Sequence, residues 1–181
     1  MFVMKIDEEL SLKLPQNKDA TKLFSVIDKN REYLKPWLAW LDGTTSVIDT
    51  KNFIKIGQKN YAEQRSMTTL ILYRGEIIGV AGYNEIDWVN KITYLGYWLD
   101  SDFQGLGIMT KVARALTTNA FQELGLHKVE IRVAKANQKS RAIPERLGFV
   151  KEGTLRQVEW LYDHYVDHVV YGMLAEGWNK S

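Results

Sequence analysis

The sequence predicts a mixed α/β protein of the α+β kind, with a central sheet of about seven strands and helices on both faces. Three observations carry that expectation. First, Met67 to Tyr73 and Ile77 to Asn84 are rich in β-branched and aromatic residues and are separated by Arg74-Gly75-Glu76, a hairpin signal. A third such run, Ile92 to Leu99, follows the turn Asp87-Trp88-Val89-Asn90-Lys91, so three strands meander. Second, Val112, Ala113, Leu116, Ala120 and Phe121 repeat at helical spacing, Gly125 ends that helix, and Lys128 to Val133 reads as the next strand. A strand, a helix and a second strand of this length form a crossover, so Ile92–Leu99 and Lys128–Val133 should run parallel. Third, Val150 to Arg156 and Tyr165 to Leu174 close the chain as antiparallel strands.

The remaining elements follow from local patterns. Leu10 to Leu14 reads as a strand, and Asn17 as the N-cap of a helix with Ala20, Leu23, Phe24 and Ile27 on one face. Ser46 followed by Asp49 resembles a capping box that opens a second helix carrying Phe53, Ile54 and Tyr61. A short helix spans about Asn137 to Leu147. Pro144 removes one of its N–H bonds, that to the Ser140 carbonyl.

Composition fits one domain, residues 1–181, with 45% hydrophobic and 25% charged residues. The 24 basic and 22 acidic side chains give a formal charge of only +2, which offers no reason to expect a nucleic-acid or membrane partner. With no cysteine there is neither a disulfide, a thiolate metal site nor a thiol nucleophile, so no step through a protein thioester is available. Met1 to Leu14 carries Lys5, Asp7, Glu8, Glu9 and Lys13 and lacks the apolar stretch of a signal peptide, so a cytoplasmic location is expected. His127, His164 and His168 show no metal-like convergence. His164 and His168 fall around a turn and strand where a spacing of four is not expected to make one face, and no metal is expected. A homodimer is compatible with the sequence.

The stretch Gln104-Gly105-Leu106-Gly107-Ile108-Met109 lies directly between the run Ile92–Leu99 and the following helix. Glycine permits positive φ and a close backbone approach, while the uncapped N–H groups and dipole of the helix favour an anion. The position therefore suits a phosphorylated ligand. A tight strand-to-helix turn without a ligand is the alternative for the glycines alone. A Rossmann site would need a third glycine where Thr110 stands and an acidic residue ending the next strand, which instead carries Arg132 and Val133. A Walker loop would need Gly-Lys-Ser or Gly-Lys-Thr, which is missing.

A second motif comprises Asn137, Ser140, Arg141, then Glu145-Arg146-Leu147-Gly148-Phe149 and Glu152-Gly153. Together with the glycine loop it resembles the GNAT superfamily of acyl-CoA-dependent N-acetyltransferases. In that superfamily the pyrophosphate loop reads Gln/Arg-x-x-Gly-x-Gly/Ala, and Gln104 and Gly107 match it, whereas Met109 stands where Gly or Ala is preferred. Over almost its whole length the chain is most similar to the RimJ/RimL branch, the ribosomal-protein N-terminal acetyltransferases, including their YdaF type. That similarity rests also on Asn30-Arg31 with Leu34, Pro36-Trp37-Leu38 and Trp40, on Leu95-Gly96-Tyr97-Trp98-Leu99, and on Leu155-Arg156-Gln157-Val158-Glu159.

The resemblance implies a single GNAT domain with acetyl-CoA as co-substrate. Gln104, Gly105, Leu106, Gly107, Ile108, Met109 and Thr110 would cradle the pyrophosphate, and Asn137 would bond the CoA chain. The pantetheine arm would lie along Ile92–Leu99 where it splays from Lys128–Val133, with backbone N–H groups near Tyr97, Trp98 and Leu99 facing the thioester carbonyl as an oxyanion hole. The side chains of those three residues are expected to be sheet and core. Glu159 occupies the position of the branch's proposed general base, on the segment leaving the sixth strand, with Glu85 as the alternate. Ser140 matches the serine that serves the departing thiolate. Many other relatives use a mid-helix tyrosine for this, and here Pro144 stands there.

An attacking amine must be neutral. A protein α-amine, with a pKa of about 7.7 to 8.0, is partly so at neutral pH, unlike lysine at about 10.4, so a modest base suffices. The branch builds part of its acceptor pocket between the first two helices, where Tyr33, Trp37 and Trp40 lie. Against that, Trp37, Leu38 and Leu41 are spaced as a helical core stripe. Three readings follow: acetylation of a protein N-terminus, a Ser or Ala on a ribosomal protein; acetylation of a small amine such as a polyamine or aminoglycoside; and a non-catalytic acyl-CoA-binding module.

Overall fold

A computed structural model describes residues 2–178. Strands β1 (Val3–Lys5) and β2 (Leu10–Lys13) precede helices α1 (Ala20–Lys29), α2 (Arg31–Leu34) and α3 (Val47–Ala62). Strands β3 (Met67–Tyr73), β4 (Glu76–Asp87) and β5 (Ile92–Leu99) lead into α4 (Ile108–Gln122), followed by β6 (Lys128–Ala134) and α5 (Gln138–Arg146). The hairpin of β7 (Val150–Leu161) and β8 (His164–Leu174) then runs into the single turn α6 (Ala175–Trp178). The strands form one mixed sheet in the order β1-β2-β3-β4-β5-β6-β8-β7. Eight strands therefore replace the expected seven. The additional one is β1, a three-residue edge strand paired antiparallel with β2 from Val3↔Lys13 to Lys5↔Ser11 and too short to show a period in sequence.

The described residues fall into two compact units, one built from the chain up to Gly82 with Tyr97–Ile108, the other from Tyr83–Gly96 with the chain from Met109 onward. In the first unit, the apolar positions of α1 and of the segment after it meet β3, β4 and the end of β5. Leu23, Val26, Ile27, Leu34, Leu41, Leu70, Ile77 and Trp98 form one buried cluster. Leu70 and Ile71 are successive residues of β3, so they point to opposite faces, and both are 0% exposed. Both faces of that strand are thus covered. The hairpin at Arg74-Gly75 takes φ of +50° and +81°, the double positive pair that matches strand twist.

The first helix is not capped by Asn17: residues Asn17–Asp19 make a 3-10 turn, and the Asp19 carboxylate accepts both the Gln16 N–H at 2.8 Å and the Lys13 ammonium at 2.8 Å. That double contact pulls the entry one residue earlier. The Ser46–Asp49 capping box is present, with Ser46 N–H donating to Asp49 Oδ2 at 3.0 Å and Asp49 N–H donating to Ser46 Oγ at 3.4 Å. The Thr45 N–H, with the Ser46 hydroxyl, holds the Asp49 carboxyl below the usual carboxylate range. In β4, Gly79 has no room for a side chain, since a Cβ there would lie 2.3 Å from the Trp98 carbonyl oxygen.

In the second unit β5 and β6 are parallel from Ile92↔Lys128 to Leu95↔Ile131, as the crossover requires. Strand β8 lies antiparallel to β6, and β7 to β8. Val112, Ala113, Leu116 and Ala120 on α4 are each 0% exposed, and the buried Tyr83 hydroxyl donates to the Leu116 carbonyl at 2.7 Å. Burial pushes the Tyr83 phenol well above its ordinary range, so it stays a neutral donor. Gly125 takes φ of +64°, and the Leu126 N–H donates back to the Ala120 carbonyl at 2.9 Å, which ends the helix. The closing hairpin is longer than expected: β7 runs on to Leu161 and β8 begins at His164. Among the described residues no helix is long and apolar enough to cross a membrane.

Candidate active site

Gly105 and Gly107 take φ of +77° and +73°, a region that side chains disfavour, and nothing lies within 4 Å of where their Cβ atoms would be. The intervening Leu106 is 57% exposed. The loop apex therefore presents backbone, immediately before Ile108, the first residue of α4. Gln104 is half-buried, whereas Ile108 is buried at the root of the loop. In the first turn of α4, Met109 is 7% exposed and Thr110 is half-buried. The Met109 side chain is packed inward, so the departure from Gly or Ala at this position does not fill the helix N-terminus.

Buried polar contacts fix the root of this loop. Asp100 follows β5, its N–H donates to the Ile78 carbonyl at 2.7 Å, and its carboxylate accepts from the Asp102 N–H at 3.0 Å. Lys29 at the end of α1 reaches Asp102 at 2.6 Å and Asp100 at 3.0 Å, and these two carboxylates, Asp102 foremost, raise the lysine above its ordinary range. Asn30 is 2% exposed; its Oδ1 accepts from the Ser101 N–H at 2.9 Å and its Nδ2 donates to the Val26 carbonyl at 2.9 Å. Asn30→Ala should cost about 2 kcal/mol by leaving the Ser101 N–H unpaired and removing the side-chain bond to Val26. Chemical denaturation of the purified variant checks this, and an unchanged midpoint would refute it.

Tyr33, Trp37 and Trp40 belong to the first unit. Tyr33 and Leu38 pack on the buried cluster that contains Trp98, and Leu41 is 0% exposed, so the core reading holds for the leucines. Burial raises the Tyr33 phenol above its usual range. Trp37 is half-buried, while Trp40 is 42% exposed with its ring centroid 6.4 Å from that of Trp98. Trp98 and Leu99 are buried side chains and Tyr97 is half-buried, as expected for sheet positions. Successive amides of a strand point to opposite sides. Because the Asp100 amide bonds Ile78 of β4, the Leu99 amide points away from β4.

The pairing of β5 with β6 ends at Leu95↔Ile131, although β5 continues to Leu99 and β6 to Ala134. Beyond β6, Asn137 caps α5, its Oδ1 accepting from the Ser140 N–H at 3.3 Å. The capping role is thus what the Asn137 oxygen performs. Arg141 pins α5 to the sheet: its Nε donates to the Tyr171 hydroxyl at 3.0 Å and its Nη1 to the Lys135 carbonyl at 3.0 Å, while the Tyr171 hydroxyl donates to Glu145 at 2.7 Å. Ser140 lies half-buried on this anchored turn, one turn before Pro144.

Glu159 is not on a loop. It lies within β7, opposite Val166 of β8, and its carboxylate meets His168 Nε2 at 3.2 Å. The strand persists because β8 offers it a partner up to His164↔Leu161, beyond an irregularity that no sequence pattern marks. Its side chain is 33% exposed. Glu85, the alternate base, is an exposed residue of β4 whose carbonyl accepts the Thr93 hydroxyl at 2.7 Å. His164 and His168 both lie in β8, where residues four apart do share a face, contrary to expectation. Each bonds a carboxylate of its own, His164 that of Asp163 at 2.6 Å. Among the described residues no three His, Asp or Glu side chains gather as a metal site.

Sequence reasoning thus missed the Lys29–Asp100–Asp102 clamp and the partner of Glu159. Asn30 stood among the resemblance residues, but nothing in its neighbours marks it as the tie between α1 and the loop root.

A glycine loop with two left-handed residues thus stands before α4, after a strand whose parallel ladder stops short. Residues 9–150 match the acetyltransferase (GNAT) domain family, and the chain belongs to it. It is 36% identical over 180 residues to YdaF of Bacillus subtilis (strain 168), provisionally named a ribosomal N-acetyltransferase, with 98% of each chain covered. Among solved structures, RimL, a ribosomal L7/L12 α-N-protein acetyltransferase in complex with coenzyme A, superposes with a TM-score of 0.93 at 28% identity, over 97% of this chain and 99% of that one. The microcin C7 self-immunity acetyltransferase MccE, in complex with acetyl-CoA and AMP, matches with a TM-score of 0.90 at 30% identity over 94% of each chain.

Proposed function

We propose that this protein transfers the acetyl group of acetyl-CoA, by direct attack, to the N-terminal α-amine of a ribosomal protein that begins with Ser or Ala. The observation that carries the donor half is the exposed Gly105-Leu106-Gly107 apex at the head of α4, which offers backbone N–H groups and a helix dipole to a pyrophosphate. The likeness to RimL, which carries CoA, supports the same donor. The acceptor half rests on the likeness to RimL, a ribosomal L7/L12 α-N-protein acetyltransferase, and to YdaF.

In this reading Gln104 to Thr110 hold the pyrophosphate and the Asn137 side-chain amide bonds the CoA chain. The Leu99 amide, pointing away from β4, donates to the thioester oxygen as negative charge develops there. Tyr97 and Trp98 extend the same edge. Glu159 takes the proton of the attacking amine, directly or through one water. The nitrogen–carbon bond forms as the carbon–sulfur bond breaks, and Ser140 donates a hydrogen bond to the departing thiolate. Tyr33, Trp37 and Trp40 receive the first residues of the acceptor, and Glu85 is the alternate base on the acceptor side. The setting is cytoplasmic, where ribosomal proteins and acetyl-CoA are both at hand.

The test is release of CoA thiol with peptides beginning in Ser or Ala, the same peptides blocked at the α-amine, free lysine and a polyamine. Turnover confined to the free α-amine peptides is expected. Turnover of the polyamine with none of any peptide would overturn the proposal.

A further inference from the structure

The β7–β8 register contains an interruption that changes what Glu159 can touch. Leu155 pairs with His168 and Glu159 with Val166, so Arg156, Gln157 and Val158 stand opposite the single residue Asp167. Gln157 takes φ of +48° to make this bulge, and its N–H donates to Asp167 Oδ1 at 2.7 Å. A left-handed residue other than glycine costs about 1–3 kcal/mol and persists only where its surroundings impose it.

Continued without interruption from Leu155↔His168, the register would set Glu159 opposite His164. The bulge adds two residues to β7, an even number, so Glu159 keeps its face but moves two positions along β8 toward His168, about 7 Å at the rise of a strand. Glu159 becomes the diagonal neighbour of His168 and bonds it at 3.2 Å. The residues directly opposite His168 are Leu155 on β7 and Ala134 on β6, both apolar. The His168 side chain is 20% exposed and that of Glu159 33%, so their bond is partly shielded from water.

From this geometry we infer that His168 is a positioning residue for acetyl transfer: its Nε2–H donates to Glu159 Oε1 and leaves Oε2 to receive the proton of the attacking amine. The inference rests on the assignment of Glu159 as the base. No other atom of the reaction changes hands. The amine proton passes to Oε2, the acetyl carbon passes from sulfur to nitrogen, and His168 keeps its proton throughout. Donation from Nε2 leaves Nδ1 the acceptor in the neutral ring.

The test compares wild type, His168→Ala, His168→Gln, Glu159→Gln and the E159Q/H168A double variant on one peptide with an N-terminal serine, with acetyl-CoA affinity measured calorimetrically for each. H168A should lower kcat about tenfold with little change in either KM, the worth of a hydrogen bond to a charged group. H168Q, whose amide can donate in place of Nε2, should recover most of that loss, and the double variant should be no slower than E159Q. Wild-type kcat in H168A beside a slow E159Q would overturn the inference and leave the base intact. Wild-type kcat in E159Q would overturn the base, and this inference with it. Equal losses in H168A and H168Q, with acetyl-CoA affinity retained, would also overturn it. Should H168A lose acetyl-CoA affinity, H168L against H168Q carries the same comparison, and a recovered kcat in H168Q alone is again the expected result.

Discussion

Replacing Glu159 by glutamine should lower kcat for an N-terminal serine peptide about a hundredfold while leaving the KM for acetyl-CoA unchanged, the low end of what a positioned base contributes. The low end applies because the acceptor is an α-amine, partly neutral at physiological pH without assistance. Below the amine pKa more of the acceptor carries the proton that a base must remove, so the deficit of E159Q should widen as pH falls. Glutamine keeps the shape of the side chain and an oxygen able to accept the His168 Nε2–H, so β7 stays in register and only proton acceptance is lost. Steady-state kinetics across pH read the effect, and a constant ratio of wild type to variant at every pH would remove Glu159 as the base.

The second large effect falls on the donor. Gly105→Ala combined with Gly107→Ala asks two side chains to adopt φ near +77° and +73°. At about 1–2 kcal/mol for each left-handed residue, with tenfold in affinity for every 1.4 kcal/mol, acetyl-CoA binding should weaken about a hundredfold. Nothing lies within 4 Å of either Cβ position, so the fold itself has room for both methyl groups. The free variant loop can then relax to negative φ and must be forced back on binding, so the loss should appear in the calorimetric Kd for acetyl-CoA far more than in the melting temperature. An unchanged Kd would mean that the loop is only a turn between β5 and α4.

What could be read from the sequence was what local pattern and short spacing encode. The meander, the parallel crossover and the antiparallel close all follow from runs of β-rich residues and a helical stripe; the sheet order sets β3, β4 and β5 side by side, and the pairings bear out the crossover and the close. The positive φ values at Gly105 and Gly107 follow from glycine itself. Strand β1 escaped because three residues carry no period, and a 3-10 turn capped at Gln16 precedes the first helix, which begins only at Ala20, because Asp19 gathers Gln16 and Lys13, a contact that no N-cap preference contains. Resemblance set Glu159 on the segment leaving the sixth strand, whereas it lies within β7. Its strand continues only because β8 pairs with it, and the bulge at Gln157 that aims it is a property of the pair, invisible in either strand alone. The same holds for Asn30 and Asp100, whose partners lie about seventy positions away in sequence (Ser101 for Asn30, Lys29 for Asp100).

Chemistry and acceptor meet in one measurement: tandem mass spectrometry of peptides with free N-terminal Ser or Ala and an internal lysine, incubated with acetyl-CoA and the protein. A single acetyl group on the α-amine is expected, with the lysine unmodified and no product when the α-amine is blocked. Acetyl on the lysine side chain, or no peptide product beside an acetylated small amine, would contradict transfer to a protein α-amine.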